Sequence, residues 1–322
     1  MTTMKALRLT RQDAASPPIL SLETLPKPTL SPGHLLVKVH ASAIHPSDIL
    51  NLKGAFAFAT FPRVPGRDYA GTVVEGPPER IGEEVYGTSG STQAFTEDGA
   101  QAEFILVPES AVAPKPKNIS FALAACIGVP FTTAALTLRR ANVSAGDVVL
   151  VLGANGAVGS AVVQIAKSKG CRVLSATRTD SDDVNTAKDP ELSAVDALTE
   201  GKGVDVVVDT VGQPALTRAA VMKLGRGGRL AFIAAPRTGA TDLPLEMTDF
   251  YRKEKTVIGC NTLLYSVEEF AELMTAMTPG FEKGDLKPAG EEEWVHVKLD
   301  DGVDAYDKAK QRGGGKFVIV ME

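Results

Sequence analysis

A glycine-rich turn between two apolar runs carries the clearest chemical signal in this sequence. It lies in residues 148–180, VVLVLGANGAVGSAVVQIAKSKGCRVLSATRTD. The first run has the composition of a buried strand, and apolar residues at helical spacing follow the turn as far as Gly170. A strand, a turn, a helix and a second strand within about 30 residues make the βαβ unit that binds dinucleotides.

The glycines of this turn suit a pyrophosphate. Gly156 has no side chain, so the backbone can approach a phosphate closely, and Gly159 lets the helix lie against the strand. The helix N-terminus adds free N–H groups and partial positive charge. The usual GxGxxG pattern begins with glycine, whereas this sequence has Ala154 there, with Gly153 before it. The predicted phosphate-binding residues are Ala154, Asn155, Gly156, Ala157 and Val158.

The second strand ends in Thr-Arg-Thr, where NAD-selective proteins place an acid. That acid lies about 20 residues after the glycines and holds the ribose hydroxyls. A carboxylate would repel the 2′-phosphate of NADPH, whereas arginine forms charge-assisted hydrogen bonds with it. We therefore predict NADPH, held by Arg178 together with the hydroxyls of Ser175 and Thr177. In the alternative interpretation, Arg178 is a solvated surface residue and Asp180 reaches back to act as the acid.

The pattern of apolar runs predicts two domains. Up to about Cys126, short β-like runs are separated by Pro and Gly clusters. Apolar strands then alternate with helices, as a parallel sheet covered on both faces requires. After Asn261 come a helix, a strand, a second helix and a closing strand. We predict an α/β protein with a β-rich domain over residues 1–125, a doubly wound parallel-sheet domain over residues 126–260, and a return to the first domain over residues 261–322.

The composition limits which binding partners and which cellular compartment can be expected. The 322 residues carry a formal net charge of −5 without a basic block, so nucleic acid is not expected as a partner. No stretch of about 18 apolar residues is present, so no membrane span is expected. The N-terminal MTTMKALRLT lacks the apolar core of a signal peptide, and the three cysteines are far apart. We expect a cytoplasmic protein that acts on a small molecule.

Several segments together resemble the medium-chain dehydrogenase/reductase superfamily. Besides the glycine turn they are MKALRL, HPSDILNLKG, PGRDYAGTVVE, VPFTTAALTLRRANVSAGD, GKGVDVVVDTVG, GGRLAFIA and GGGKFVIV. They are most similar to the zinc-independent quinone oxidoreductase and enoyl reductase branch. The resemblance implies a GroES-like catalytic domain interrupted by a Rossmann domain, with the active site in the cleft between them.

At the positions that hold catalytic zinc in related enzymes, this chain has a different set of residue types. These positions are matched by His45, by Arg67 and Asp68 after Gly66, and by Val129. Arginine stays protonated and valine has no donor atom, so the three-ligand set of a catalytic zinc site is incomplete. Cys126 lies three residues from the ligand position, and no four-cysteine lobe occurs. We therefore predict no metal.

Without a metal, the resemblance implies hydride transfer from the nicotinamide to the β-carbon of an enone, enal, enoyl thioester or quinone. His45 stands where this branch has Asn, in an element that touches cofactor and substrate. An imidazole there could donate a hydrogen bond or a proton. We predict catalytic roles for His45 and Asp48. The alternative is that His45 packs beside Pro46 and that Asp48 caps the following helix.

The proton donor of the related enoyl reductases is missing. These enzymes carry Tyr in a Gly-x-Tyr element, whereas this chain has Gly54, Ala55 and Phe56. Tyr69 or Tyr86 could replace it, or each could be a core aromatic residue. The substitution puts fatty enoyl-thioester reduction by the usual route in doubt.

The resemblance adds further contacts to the nicotinamide and adenosine halves of the cofactor. For each of them, ordinary packing or solvation is the alternative. A catalytic role is also expected for Thr133, which would contact the nicotinamide amide. The full set is Thr133, Val211, Phe232, Ile233, Ala234, Asn261, Leu263 and Lys316, together with His45.

Some expectations rest on analogy or remain open. Relatives often pair through the edges of the Rossmann sheet, so a homodimer is expected. The loop at residues 51–63, rich in Phe and Ala, suggests an apolar substrate. The segment after Ala176 is too short and polar for the usual helix, strand and helix. A non-redox biosynthetic enzyme and a non-catalytic nucleotide-binding protein are the alternative functions.

Overall fold

The chain divides into two compact units in a computed structural model that describes residues 2–13, 16–311 and 313–321. The first unit comprises Met1–Thr132 and Leu263–Glu322, and the second comprises Thr133–Thr262. The junctions therefore lie after Thr132 and Thr262, whereas the sequence placed them after residues 125 and 260. The first differs because a continuous helix, Gly128–Arg140, runs through it, so no loop or change of composition marks the junction.

The secondary structure contains every strand and helix that the apolar runs predicted. In the described part of the chain, the strands are β1 (Thr3–Thr10), β2 (Ile19–Pro26), β3 (His34–Ile44), β4 (Asp68–Glu75), β5 (Glu84–Thr88), β6 (Phe104–Pro108), β7 (Ala113–Pro114), β8 (Val148–Leu152), β9 (Arg172–Thr177), β10 (Val184–Asn185), β11 (Val204–Asp209), β12 (Leu224–Phe232), β13 (Thr256–Gly259), β14 (Trp294–Lys298) and β15 (Lys316–Val320). The helices are α1 (Pro46–Leu52), α2 (Phe121–Ala124), α3 (Gly128–Arg140), α4 (Ala157–Ser168), α5 (Ala194–Leu198), α6 (Pro214–Met222), α7 (Met247–Arg252), α8 (Val267–Lys283) and α9 (Gly302–Ala309). None of these helices is long and apolar enough to cross a bilayer.

The first unit is built around a mostly antiparallel seven-stranded sheet in the order β14-β15-β3-β4-β5-β7, with β6 paired to β3. Strand β15 pairs with β3 from Phe317↔Ile44 to Val320↔Ala41. The last strand of the chain therefore joins the sheet that contains β3, β4 and β5, whereas β1 and β2 form a separate two-stranded sheet. Alternating side chains of β3, including Leu35, Val37 and Val39, form the core of this unit.

The second unit contains a six-stranded parallel sheet in the order β10-β9-β8-β11-β12-β13. Its central strands β8 and β11 are almost entirely buried, which explains their uninterrupted apolar sequences. The predicted α/β architecture with a doubly wound parallel sheet is confirmed. Strand β8 has β9 on one side and β11 on the other, so the strand order reverses here. Ligands of such sheets bind outside the carboxyl ends of the strands at this point.

The segment between β9 and β11 is reduced, in agreement with its short polar sequence. Its strand β10 has only two residues and pairs with the end of β9. Helix α5, five residues long, is the only α-helix in this described segment. The edge strand of the parallel sheet, β10, is therefore very short. It pairs with the end of β9, where the sequence predicts the 2′-phosphate of NADPH.

Candidate active site

The glycine turn of the second unit is shaped by contacts that a side chain would destroy. Gly153 has φ +76°. A Cβ atom on Gly159 would lie 2.1 Å from the carbonyl oxygen of Gly153, so only glycine lets α4 approach β8 this closely. The cap residue Gly156 gives α4 no side-chain hydrogen bond. The first N–H groups of α4 are therefore available to a phosphate.

The predicted phosphate-binding residues surround this helix start. Asn155, Gly156 and Ala157 are exposed, Val158 is half-buried and Ala154 is buried. An exposed helix N-terminus beside closely packed glycines fits the pyrophosphate of a dinucleotide. The N-cap residue of this helix is a glycine, so it places no side chain at this position.

The end of β9 holds an acid that the sequence analysis missed. The buried Thr177 hydroxyl donates to Oδ2 of Asp182 at 2.7 Å, and the N–H of Ser175 donates to Asp183 at 2.7 Å. Asp180, the alternative acid, is bound to Lys188 at 2.6 Å instead. Arg178 is exposed. The strand end therefore carries both an exposed guanidinium and a carboxylate that folds back to it.

The loops after β11 and β12 lie together at the same sheet edge. The buried Asp209 carboxylate accepts the N–H groups of Val211 and Gly212 at 2.8 and 2.9 Å. Asp209 therefore caps the carboxyl end of β11. A Cβ on Gly212 would lie 2.2 Å from the carbonyl oxygen of Ala234, so the two loops are in contact. The residues gathered here include Val211, which is 43% exposed, and the half-buried Phe232, Ile233 and Ala234.

The remaining predicted cofactor residues are divided between the units. Thr133 is buried in α3, where its carbonyl accepts the Thr137 hydroxyl, and Asn261 is exposed after β13. In the first unit, Leu263 belongs to a short 3₁₀ turn. Lys316 forms an ion pair with Glu293 at 2.5 Å and lies 5.8 Å from the Trp294 ring centroid, so it is not a simple solvated charge.

The first unit contains a buried cluster of charged side chains at the end of β3. His45 follows β3 directly and caps α1. Its N–H donates to Oδ2 of Asp48 at 2.9 Å, so Asp48 has the helix-capping role that we weighed as the alternative. The His45 imidazole does not merely pack beside Pro46. Its Nε2 lies 2.7 Å from Oδ2 of Asp68, and the side chains are 4% and 0% exposed.

Asp68 is held in place by donors from three segments. Besides His45, the Thr88 hydroxyl donates to Oδ1 at 2.5 Å and the N–H of Val129 donates to Oδ2 at 2.7 Å. A Cβ on Gly128 would lie 2.6 Å from Oδ1, so a glycine is required where α3 begins. Sequence reasoning considered Asp68 only as a possible metal ligand and missed its pairing with His45. A carboxylate bonded in this way orients the imidazole and stabilises its protonated form.

These residues do not fit a zinc ion. The nitrogen and carboxylate that could ligate are bonded to each other, and Arg67 beside them cannot ligate. Among residues 2–13, 16–311 and 313–321, no group of three or more His, Cys, Asp or Glu side chains is arranged to hold a metal ion. We therefore derive no chemical step through a metal.

Burial and charge shift the pKa values of this cluster. Burial lowers the pKa of His45, but the charge and hydrogen bond of Asp68 outweigh it, so this pKa lies above its ordinary value. Burial raises the pKa of Asp48 to about 6, against the opposing effects of His45 and Arg67. Burial also lowers the pKa of Arg67, which two carboxylates partly restore. The cluster thus favours the protonated imidazole of His45, and the pKa of the Asp48 carboxyl group lies above its usual range.

Neither tyrosine considered as a proton donor is exposed. Tyr69 is 0% exposed, and burial raises the pKa of its hydroxyl. The Tyr86 hydroxyl donates to the Met274 carbonyl at 3.0 Å, and burial raises its pKa to about 12. Both are core aromatic residues. Phe56 instead packs against Phe95, with ring centroids 5.1 Å apart.

Two family models each match a part of the chain. Residues 31–117 match the alcohol dehydrogenase GroES-like domain, and residues 157–278 match the model described as zinc-binding dehydrogenase. A zinc-type alcohol dehydrogenase-like protein of Schizosaccharomyces pombe is 45% identical over 99% of this chain and 97% of its own length. The chain belongs to the medium-chain dehydrogenase/reductase superfamily. It is therefore an NAD(P)-dependent oxidoreductase with a GroES-like domain and a Rossmann-type sheet.

Other members of the medium-chain dehydrogenase/reductase superfamily are similar over nearly the whole chain. The quinone oxidoreductase of Mus musculus is 28% identical over 99% of this chain and 98% of its own length. The 2-methylene-furan-3-one reductase of Solanum lycopersicum is 31% identical over 98% of this chain and 79% of its own. The structure of an alcohol dehydrogenase superfamily protein from Novosphingobium aromaticivorans superposes with a TM-score of 0.83 at 26% identity, covering 100% of both chains.

Proposed function

We propose that this protein is a zinc-independent, NADPH-dependent reductase of an activated C=C bond or a quinone. The observation that carries the proposal is the pairing of His45 with Asp68, which occupies the two groups most able to bind zinc. A quinone oxidoreductase and a furanone reductase among the relatives support the substrate class. The aromatic side chains Phe56 and Phe58 favour an apolar substrate.

The residues of the first unit supply the proton. NADPH, when bound, supplies a hydride to the β-carbon of the substrate. Because Asp68 engages Nε2 of His45, the transferred proton would come from the other ring nitrogen, Nδ1. His45 then protonates the carbon next to the carbonyl, and Asp68 stabilises the imidazolium before the transfer. Asp48 fixes His45 through its backbone N–H.

A panel of substrates tests this function. We expect NADPH oxidation, followed by the loss of nicotinamide absorbance, with at least one of cyclohexenone, cinnamaldehyde and a benzoquinone. A chelator that removes zinc should leave the rate unchanged, because His45 and Asp68 are bonded to each other and the described residues contain no group of three or more side chains arranged to hold a metal. Loss of the rate on chelation, with recovery on addition of zinc, would contradict the metal-free mechanism.

The proposal of NADPH rather than NADH rests on Arg178. Its guanidinium is exposed at the end of β9, where the adenosine ribose of a bound dinucleotide lies. Asp182 is the competing group, but its Oδ2 already accepts the hydroxyls of Thr177, Thr179 and Ser181. That carboxylate is therefore less free to bind ribose hydroxyls than the acid of an NAD-selective site.

Replacing Arg178 by Ala should weaken NADPH binding more than NADH binding. The loss of charge-assisted hydrogen bonds to the 2′-phosphate is worth roughly 1–3 kcal/mol, or about 5- to 150-fold in Kd. The measurement is calorimetric titration with each cofactor, with Arg172→Ala on the same strand as the matched control. Equal losses of affinity for both cofactors would show that Arg178 does not bind the 2′-phosphate.

A further inference from the structure

Two charged side chains of the His45 cluster each keep an atom without a partner. Oδ1 of Asp48 is buried and forms no hydrogen bond. Arg67 is 5% exposed, and its guanidinium donates from Nε to Ser89 Oγ at 2.7 Å and from Nη1 to Ser47 Oγ at 3.0 Å. In the described residues, its remaining nitrogen, Nη2, donates to no acceptor. Arg67 as a whole is 5% exposed, so the residue is not completely enclosed.

The geometry around Arg67 makes it a fixed cation. Two serine hydroxyls accept from the guanidinium on one side, and the ring centroid of Phe95 lies 5.4 Å from its central carbon. Asp48 and Asp68 both favour its charge without approaching within ion-pair distance. A guanidinium held by neutral groups, with one N–H-bearing nitrogen unused, is pre-organised to receive an external oxygen.

A group of three packed aromatic rings extends from this guanidinium to the exposed Phe58. Phe95 is fully buried, and its ring contacts Phe56 at 5.1 Å and Phe58 at 5.5 Å between centroids. Phe58 is 47% exposed. The sequence resemblance places Arg67 at the position of a zinc ligand in related enzymes. A guanidinium thus replaces one of the side chains that bind zinc in those enzymes.

We propose that Nη2 of Arg67 donates a hydrogen bond to the carbonyl oxygen of the substrate and that this guanidinium acts as the electrophile of the reaction. The proposal rests on the reductase function and narrows its substrate class to aryl or other apolar enones and quinones whose apolar part packs against the exposed Phe58 and the half-buried Phe56. For an enone, as a C–H bond forms at the β-carbon, the electron pair of the C=C bond shifts and the oxygen becomes negative. Arg67 stabilises that enolate oxygen, and the proton from His45 then forms the C–H bond at the α-carbon.

The test compares Arg67→Gln and Arg67→Lys with the wild type. Removing one donor to a developing oxyanion costs about 100- to 1,000-fold in kcat, so we expect a loss of this size with cinnamaldehyde or cyclohexenone in Arg67→Gln. Arg67→Lys keeps the positive charge but lacks the planar guanidinium group. Its kcat should lie between those of the wild type and Arg67→Gln. NADPH affinity should not change. Guanidinium added to Arg67→Ala should restore part of the rate, which also shows that the variant is folded.

A binding measurement tests the site without turnover. Trp294 is the only tryptophan, and its ring lies 6.4 Å from that of His45, so its fluorescence reports on this cluster. We expect 4-hydroxybenzaldehyde, titrated as its phenolate, to bind about 10-fold or more weakly to Arg67→Gln than to the wild type. Toluene, which carries no oxygen, should bind both proteins similarly.

The outcomes separate this inference from the proposed function. Wild-type kcat or unchanged phenolate binding in Arg67→Gln would overturn the role of Arg67, even if the wild type reduces enones. If the wild type oxidises no NADPH with any substrate but binds phenolate through Arg67, the oxyanion site is supported and the reductase function is refuted.

Discussion

Replacing Asp68 by Asn is expected to lower the free energy of unfolding by about 3–5 kcal/mol, because breaking a buried ion pair leaves its partner uncompensated. The carboxylate accepts from His45, Thr88 and Val129, and its side chain is fully buried. An amide has one acceptor oxygen and one donor NH₂, so it cannot accept from all of them. Urea unfolding of both proteins measures the difference.

The size of this loss should depend on pH. The pKa of His45 in the folded protein lies above its ordinary value of 6.5. The stabilisation by its charge is therefore complete below about pH 6.5 and is lost as the pH rises through the raised pKa of the folded state. The difference between wild type and Asp68→Asn should be larger at about pH 5.5 than at about pH 9. Asp48, whose pKa is raised to about 6, is present in both proteins, so its direct contribution largely cancels.

The control for this substitution is Asp300→Asn. Asp300 pairs with Lys5 at 2.8 Å, but both side chains are more than half exposed, so little change is expected. A loss in Asp68→Asn as small as in this control, or one that does not vary with pH, would show that His45 and Asp68 do not form a charged pair.

The sequence predicted the nucleotide-binding unit better than the catalytic cluster, because the signals for the former are local. The glycine spacing and the apolar runs specify strand, turn and helix within one short segment, and the structure contains them. The bond between His45 and Asp68 joins residues 23 positions apart, and that between Asp68 and Val129 joins residues 61 positions apart. Such contacts depend on sheet register and on the entry of a helix, which one sequence does not reveal.

The sequence at Arg67 correctly predicts that this residue is no zinc ligand, but it does not predict the contacts of its side chain. Its residue type excludes a zinc ligand, and that argument needs no structure. Its contacts with Ser47, Ser89 and Phe95 depend on how β4, β5 and the neighbouring loops meet. Asp182 is a similar case, because its bond to Thr177 arises from the fold of a polar loop without periodicity. The residues that would decide cofactor choice and substrate activation are therefore those that the sequence left least determined.

Replacing His45 by Asn should lower kcat with an enone by about 100-fold or more, since a positioned general acid contributes about 10²–10⁴-fold. Asparagine is among the best helix N-cap residues, so α1 should still form, and the backbone N–H can still donate to Asp48. The substitution removes the titrating imidazole. In the wild type, kcat should fall as the pH rises through the raised pKa of His45, because only the protonated form supplies a proton. This fall in kcat at high pH is the basic limb of the profile, and the remaining activity of His45→Asn should lack it.

The measurement is a kcat–pH profile under saturating NADPH, with His34→Asn as the control. His34 is partly exposed at the start of β3, and its ring bonds the Pro32 carbonyl at 3.0 Å, so its replacement should leave both rate and profile unchanged. Full activity of His45→Asn with an unaltered profile would refute His45 as the acid. A fall in kcat with the basic limb retained would assign the proton to another group and leave His45 only a positioning role. The basic limb disappears together with the rate only if the imidazole itself delivers the proton.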